Sequence, residues 1–385
     1  MKIRLLTYHF IRNNGAALYC YSLYHALKRV FPQADIKFID YRPLNMHLVE
    51  ELKVFKPLPG EPFFYWYRNR VFNHFVRDHL PLTQPYSLLL SPKQFFKKLK
   101  KSDIDCLIVG MDVWCLTKGL ERTSFPSAYW LQTAPYYQAA YAVSAYKTEM
   151  ALLDRYEAGI SARLGNFQLI YTRDEFTQNL VNTLNHNPAV QVKKVPDPTF
   201  LLDVAVNGLK EKLEKMGVDF SKPLVGVLLH GHEEIMLSIY KHFHSAGYQV
   251  IALSMYNHHA DLNLGHLLDP LEWAATFAFF QFCVTNRFHG TILCLKNKIP
   301  FLALLSEQLD APINCKIRDL LESFNLLDCY QDTTSASFNL EGMLKAIKRV
   351  QSLWNSHYLQ QVNNGLIEMR TQSEVAIHFL KNEVD

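Results

Sequence analysis

Short apolar runs recur along this chain, separated by stretches whose apolar residues return every three or four positions. Strand-length runs lie at residues 3–8, 35–39, 106–109, 138–143, 169–172, 224–229, 249–253, 282–285 and 301–305. Stretches with the helical period lie at 17–30, 176–184, 236–246 and 290–296. Strands alternating with helices predict parallel sheets covered by helices on both faces. The pattern is interrupted near Asp197-Pro198, where a strand-like segment ends, and a polar Lys/Glu-rich segment leads to a fresh strand after Pro223. This predicts a first α/β domain over residues 1–205 and a second over 206–385, the latter closing in a helical segment at 340–381. Two such domains facing each other form a cleft. In sheets of this kind ligands bind beyond the carboxyl ends of the strands, where the strand order reverses. Polar residues that follow strands are therefore the ones to inspect.

The length of 385 residues supports two domains, each with its own core. A net charge of +4 is too small to suggest a nucleic-acid partner, and none is expected. The Lys97-Lys98-Leu99-Lys100-Lys101 run is interleaved with Phe95, Phe96 and Leu99, which marks the solvated face of a helix. The seven cysteines form no C-x-x-C pair and several sit inside apolar runs, so they read as free buried thiols in a reducing compartment. The opening segment reads as a strand rather than a leader, and the apolar stretch at 273–284 is too short to cross a bilayer. The expectation is a cytoplasmic protein. The aromatic and basic run Phe63 to Arg68 suits either helix packing or peripheral contact with the inner face of the cell membrane.

Four segments follow strands and carry polar chemistry. The first strand leads to Asn13-Asn14-Gly15-Ala16-Ala17 and then an apolar helix, so Asn14 and Gly15 stand where backbone N–H groups approach a ligand. No G-x-G-x-x-G accompanies them, which removes the dinucleotide fingerprint. Gly110-Met111-Asp112 places a carboxylate after a buried strand, as a cleft residue or a helix cap. In Thr172-Arg173-Asp174-Glu175, Thr172 and Glu175 have capping-box spacing. Arg173 then stands at the positive end of a helix, awaiting either an anion or an ion pair with Asp174 or Glu175. The sharpest segment is Arg287-Phe288-His289-Gly290. It delivers a guanidinium, an imidazole and a helix N-terminus to one place, which suits a phosphate or carboxylate and adds a proton donor.

Eight of the sixteen histidines fall between His230 and His289, including His230-Gly231-His232, His242, His244 and His258-His259. No H-E-x-x-H or zinc-finger spacing occurs among them, so no metal is expected, while His230 follows a strand and can line the cleft.

Taken in order, these segments resemble the polysaccharide pyruvyl transferase family. The segments that carry the likeness are Asn14-Gly15-Ala16, Gly110-Met111-Asp112-Val113-Trp114, Tyr141-Ala142-Val143-Ser144, Tyr171 to Glu175, Asp197-Pro198-Thr199, and Asp269 to Trp273 followed by Arg287 to Gly290. Met111 departs from the serine usual in that family. The resemblance implies a GT-B-like architecture of two Rossmann-like domains, with the first domain on the acceptor side and the second on the donor side. It implies phosphoenolpyruvate as donor, a sugar of a glycan or lipid-linked repeat unit as acceptor, a pyruvate ketal as product, and no further cofactor. By resemblance His289 is the acid and Asp112 orients or deprotonates the acceptor. Arg287 and Arg173 hold the donor, and Asn14, Gly15, Ser144, His230 and Gly290 line the substrates. A nucleotide-sugar glycosyltransferase on the same architecture and an inactive glycan-binding protein are the alternatives.

Overall fold

The computed structural model describes residues 1–58, 60–119, 125–231, 233–305 and 315–384. Among these, twelve strands form two six-stranded sheets, every pairing parallel. The strands are β1 (Lys2–Leu6), β2 (Asp35–Phe38), β3 (Cys106–Gly110), β4 (Tyr137–Val143), β5 (Leu169–Thr172), β6 (Gln191–Lys194), β7 (Leu224–Leu228), β8 (Gln249–Ala252), β9 (Leu262–Asn263), β10 (Phe282–Thr285), β11 (Phe301–Leu305) and β12 (Tyr330–Asp332). The first sheet runs β2-β1-β3-β4-β5-β6 and the second β12-β11-β10-β7-β8-β9. In the first, the chain steps from β1 out to β2 and resumes on the other side of β1 with β3. In the second, it steps from β7 through β8 to β9 and resumes beside β7 with β10. The order therefore reverses between β1 and β3, and again between β7 and β10. Those are the positions where sheets of this class bind ligands.

The inner strands β3, β5, β7, β10 and β11 are buried along their whole length. That is the expected state of a parallel strand covered on both faces, and it explains their unbroken apolar sequences. The outer strands β6, β9 and β12 are short, polar and partly exposed. Beta9 and β12 lack the apolar run by which a strand is read, and the strand-like segment before Asp197 proves to be β6. Polar side chains on such edges discourage pairing with another chain.

Helix starts follow local chemistry. Asn13 accepts a hydrogen bond from the Ala16 N–H at 3.2 Å and caps the helix Asn14–Val30. Ser91 with Gln94, and Asp269 with Glu272, form full capping boxes, each with proline at the start of the helix. On the Pro92–Leu99 helix, Phe95, Phe96 and Leu99 are buried while Lys97 and Lys98 face solvent. The expected helix over 340–381 is two helices, Leu340–Leu353 and Ser356–Val384. They part at Trp354, whose indole donates to the Lys298 carbonyl at 2.9 Å. In the Phe64–His79 helix, Phe64, Phe72 and Phe75 are core, whereas Trp66 and Tyr67, and Phe63 just before the helix, are exposed. All seven cysteines are buried and free. Among the described residues no helix is long and apolar enough to cross a membrane.

The chain divides into two compact units: Met1–Lys53, Val76–Leu201 and Met369–Asp385 form one, and Val54–Phe75 with Leu202–Glu368 the other. A single boundary at residue 205 therefore needs correction for two segments. Residues 54–75 join the second unit through Phe64, which packs on His266 at 4.5 Å, and Arg68, which donates to the Ser254 carbonyl. Residues 369–384 join the first through Phe379 under the Lys193 ammonium and Glu383 against Gln191. Helical periodicity shows that a face is buried, not which core buries it.

Gly226 in β7 shows how tightly the second sheet is packed. A Cβ there would stand 2.8 Å from the Phe280 ring and 2.9 Å from the Cys283 sulfur. Gly226→Ala should therefore cost roughly 1–3 kcal/mol through overpacking. Chemical denaturation should show an earlier midpoint, and an unchanged midpoint would mean that the Phe280 ring yields freely.

Candidate functional site

At the reversal point of the second sheet, β7 ends at Leu228 and β10 at Thr285. The Asn286 N–H donates to the Leu228 carbonyl, and its side-chain amide donates to the His230 carbonyl at 3.3 Å. The Arg287 N–H donates to the Thr285 hydroxyl at 3.0 Å, and Arg287 is the N-cap residue of the helix Phe288–Lys296. Gly290 is buried in the first turn, where a Cβ would lie 2.5 Å from the Thr285 hydroxyl and 3.3 Å from Leu228. Glycine at this position lets the helix begin directly against the strand ends. The first turn carries no acidic residue. Arg287 and His289 are half-buried there and His230 is exposed on the neighbouring strand end. Arg287, His289 and Gly290 thus follow β10, and His230 follows the neighbouring β7. A guanidinium and an imidazole at a helix N-terminus make a binding place for an anion. Lys316 adds a buried cation nearby, its ammonium 5.2 Å from the Phe288 ring. No spacing in the sequence marks it.

The reversal point of the first sheet is organised around an ion pair. Arg173, following β5, is almost completely buried and reaches Asp112 after β3 with one nitrogen and Asp197 with the other, the latter at 2.9 Å. Asp197 also accepts from the Thr199 N–H at 2.9 Å. Burial alone would lower the guanidinium pKa, but Asp112 and Asp197 reverse that and raise it. Arg173 thus has counter-ions within the chain, Asp112 and Asp197 in direct contact and Asp174 acting more weakly. Asp112, one-fifth exposed, spends its charge on Arg173. The expected capping box is also corrected. Asp174, not Thr172, caps the helix Glu175–Leu184, accepting from the Thr177 N–H at 2.9 Å and its hydroxyl at 2.6 Å. Burial raises the Asp174 pKa against the hydrogen bonds of Ser144 and Thr177. Ser144 is fully buried and serves this joint, accepting from the Tyr146 N–H as well. Two residues here hold the left-handed backbone, Met111 at φ 82° and Ala142 at φ 45°. Met111 sits beside Asp112 and its carbonyl accepts from the Ser144 N–H. Such strain persists only where its surroundings fix it, and it gathers at functional sites.

Asn14 and Gly15 are buried in the first turn of the Asn14–Val30 helix, and the Asn14 side-chain oxygen has no hydrogen-bond partner. Close by in sequence stands a pair that the sequence did not reveal. His9, following β1, places its Nε2 3.2 Å from Asp40, which Arg42 also grips at 2.7 Å. Burial works to raise the Asp40 pKa, but His9 and Arg42 outweigh it and hold it at about 2. The buried Nδ1 of His9 has no partner. The two residues are brought together by β1 and β2, so no local motif could have shown them.

The histidine-rich stretch separates into distinct environments. His266 is core, packed against the Phe64 ring, its pKa brought down to about 4 by burial and then by Arg68. His242 and His244 lie on the Glu233–Ser245 helix. His258 and His259 both approach Glu233. His232 lies outside the described residues.

The fold is a GT-B-like architecture of two parallel-sheet units. It is similar to a UDP-GlcNAc 2-epimerase from Neisseria meningitidis bound to UDP-GlcNAc, with 11% identity, a TM-score of 0.57, and 99% of this chain and 100% of that one covered. It is similar also to a putative UDP-N-acetylglucosamine 2-epimerase from Listeria monocytogenes, with 10% identity, a TM-score of 0.58 and coverage of 100% and 96%. A glycosyltransferase from Rickettsia africae matches at 10% identity and a TM-score of 0.55, covering 100% and 98%. No curated protein sequence matches the chain significantly. The sequence model of the polysaccharide pyruvyl transferase family matches residues 13–307, and the chain belongs to that family.

Removing Arg173 tests the ion-paired centre. Arg173→Leu strands Asp112 and the fully buried Asp197, and should cost about 3–5 kcal/mol at neutral pH. An unpaired buried carboxylate has a raised pKa, so its penalty is absent below the unfolded-state pKa, grows as the pH rises towards the raised value and is constant above it. The deficit relative to wild type should therefore shrink between pH 7 and about pH 5. A deficit that is constant with pH, measured by denaturation, would show that Asp197 is not the stranded charge.

Proposed function

We propose that the protein transfers the pyruvyl group of phosphoenolpyruvate to a sugar hydroxyl pair, forming a pyruvate ketal and releasing phosphate. The observation that carries the reading is the Arg287-Phe288-His289-Gly290 junction, within a chain of the polysaccharide pyruvyl transferase family. Phosphoenolpyruvate is a small, highly charged anion with phosphate and carboxylate on adjacent positions. Arg287, the N-terminus of the Phe288–Lys296 helix and the nearby Lys316 ammonium are cationic groups suited to it. The GT-B-like relatives named above include enzymes of UDP-sugars, which also carry phosphate. The fold alone therefore does not choose the donor.

The chemistry needs one proton delivered to carbon and one group displaced. Protonation of the methylene carbon leaves C2 electrophilic, and a sugar hydroxyl attacks it. The C2–O bond to phosphate breaks, and the second hydroxyl closes the ring. Of the two hydroxyl protons, one balances the new methyl group and the other leaves on phosphate. His289 is the acid of this scheme. On the acceptor side Asp112 orients a hydroxyl, because its charge is tied to Arg173. The His9–Asp40 pair is an imidazole–carboxylate couple in the same unit. The acceptor is a sugar of a glycan or a lipid-linked repeat unit, and the donor needs no cofactor beside it.

Phosphoenolpyruvate should raise the thermal unfolding temperature, since a ligand of the native state alone must stabilise it. Arg287→Ala should erase that shift. Stabilisation by a nucleotide sugar, with none by phosphoenolpyruvate, would replace this reading with a glycosyltransferase.

His289→Ala should retain the fold and much of the donor-induced shift while turnover falls by ~10²–10⁴-fold, the contribution of a positioned acid. Turnover and donor affinity should be measured on one purified preparation. Near-normal turnover would remove His289 from the chemistry.

A further inference from the structure

We propose that Glu233, His258 and His259 form a binding site for a divalent transition-metal ion of the Zn²⁺ class. Glu233 opens the Glu233–Ser245 helix, and the two histidines lie in the connection between β8 and β9. The Nε2 atoms of His258 and His259 stand 2.8 Å and 2.5 Å from the same Glu233 oxygen. One donor atom from each of the three residues lies within 4.8 Å of the others. Neighbouring side chains on an extended segment point to opposite sides. Here the loop turns both rings one way, their centroids 4.0 Å apart, so that both nitrogens converge on one carboxylate.

The loop is held in this conformation from beneath. Asn257 is buried, and its N–H donates to the Asn263 side chain at 2.7 Å while the Asn263 amide donates back to the Asn257 carbonyl at 3.0 Å. The Asn257 side chain accepts from the His259 N–H at 3.0 Å. The imidazoles thus stand on a preorganised turn, whereas Glu233 is an exposed side chain with freedom to withdraw. Metal bonds of ~2.1 Å in tetrahedral geometry separate ligand atoms by about 3.4 Å, so the carboxylate must draw back by less than ~1 Å. Two imidazoles and one carboxylate suit Zn²⁺, Co²⁺ or Ni²⁺ and leave coordination positions for water or a small anion.

The site belongs to the edge of the sheet already described. The Ser254 hydroxyl after β8 donates to the Leu229 carbonyl after β7 at 3.0 Å, and Asn286 after β10 donates to His230. Metal binding does not depend on the pyruvyl-transfer reading, and either can fail without the other. Sequence spacing offered no metal site because the carboxylate and the histidines are distant along the chain and meet only where adjacent strands end.

The test is titration of the metal-stripped full-length protein with Co²⁺, followed by its visible absorption and by displacement with Zn²⁺. One equivalent should produce intense bands of a tetrahedral nitrogen–oxygen site and be displaced by Zn²⁺. His258→Ala and His259→Ala should each weaken it by more than the ~10–100-fold typical of outer-shell partners. Glu233→Gln should weaken it too, while His244→Ala on the same helix should leave it unchanged. Far-ultraviolet circular dichroism of each variant separates lost ligation from lost fold. Absence of a saturable cobalt spectrum in the wild type, or a titration that persists unaltered in folded His258→Ala and His259→Ala, overturns the proposal.

Discussion

The buried Arg173 guanidinium is the constraint on which the first unit depends. It draws together the ends of β3 and β5 and the residue that follows β6, through Asp112 and Asp197. Taking three charges out of water is costly, and an apolar replacement of the same shape is often no less stable. What the charges supply is direction. A guanidinium fork satisfied by two carboxylates admits few arrangements of the strand ends, and next to it Met111 is held in a backbone conformation that methionine rarely adopts. The fully buried Ser144 and the Asp174 cap complete the same rim. An arginine so engaged is a structural centre. Arg287 of the other unit, by contrast, is half-buried at the start of a helix.

The interior of both sheets was legible in the sequence because a strand covered on two faces is almost wholly apolar, as Cys106-Leu107-Ile108-Val109 and Phe282-Cys283-Val284 are. Edge strands carry no such signature: Leu262-Asn263 is indistinguishable from loop until β8 is beside it. Helix ends were legible only to within a residue or two. Thr172 and Glu175 had the spacing of a cap, yet Asp174 took the role because its carboxylate reaches both the N–H and the hydroxyl of Thr177. Membership of the segments 54–75 and 369–385 was not legible at all, since each is amphipathic and neither names its core.

The candidate site divides along the same line. Arg287, His289 and Gly290 were legible because one strand end and one helix start bring them together within a few residues. Arg173 was noticed as a cation in the wrong place on the helix dipole, but its partners come from two other strand ends. His9 with Asp40, and Glu233 with His258 and His259, are made by neighbouring parallel strands whose residues are far apart in sequence. Parallel sheets join distant segments by construction, so polar groups assembled at their carboxyl edges leave no spacing to read.

The two reversal points also differ in what they offer a ligand. In the first, Arg173 is withdrawn from solvent between two carboxylates, Asp112 and Asp197, which fixes geometry and leaves no net positive field for an incoming anion. In the second, Arg287 and His289 remain half in contact with solvent at the start of a helix whose first turn has no carboxylate. Gly290 brings that turn against Thr285 and Leu228, so the helix N-terminus and the strand ends share one surface. A side chain at position 290 would push the helix away and separate the cation from the backbone N–H groups that reinforce it. The glycine therefore acts through distance: it sets how closely the helix N-terminus, the guanidinium and the imidazole approach the strand ends.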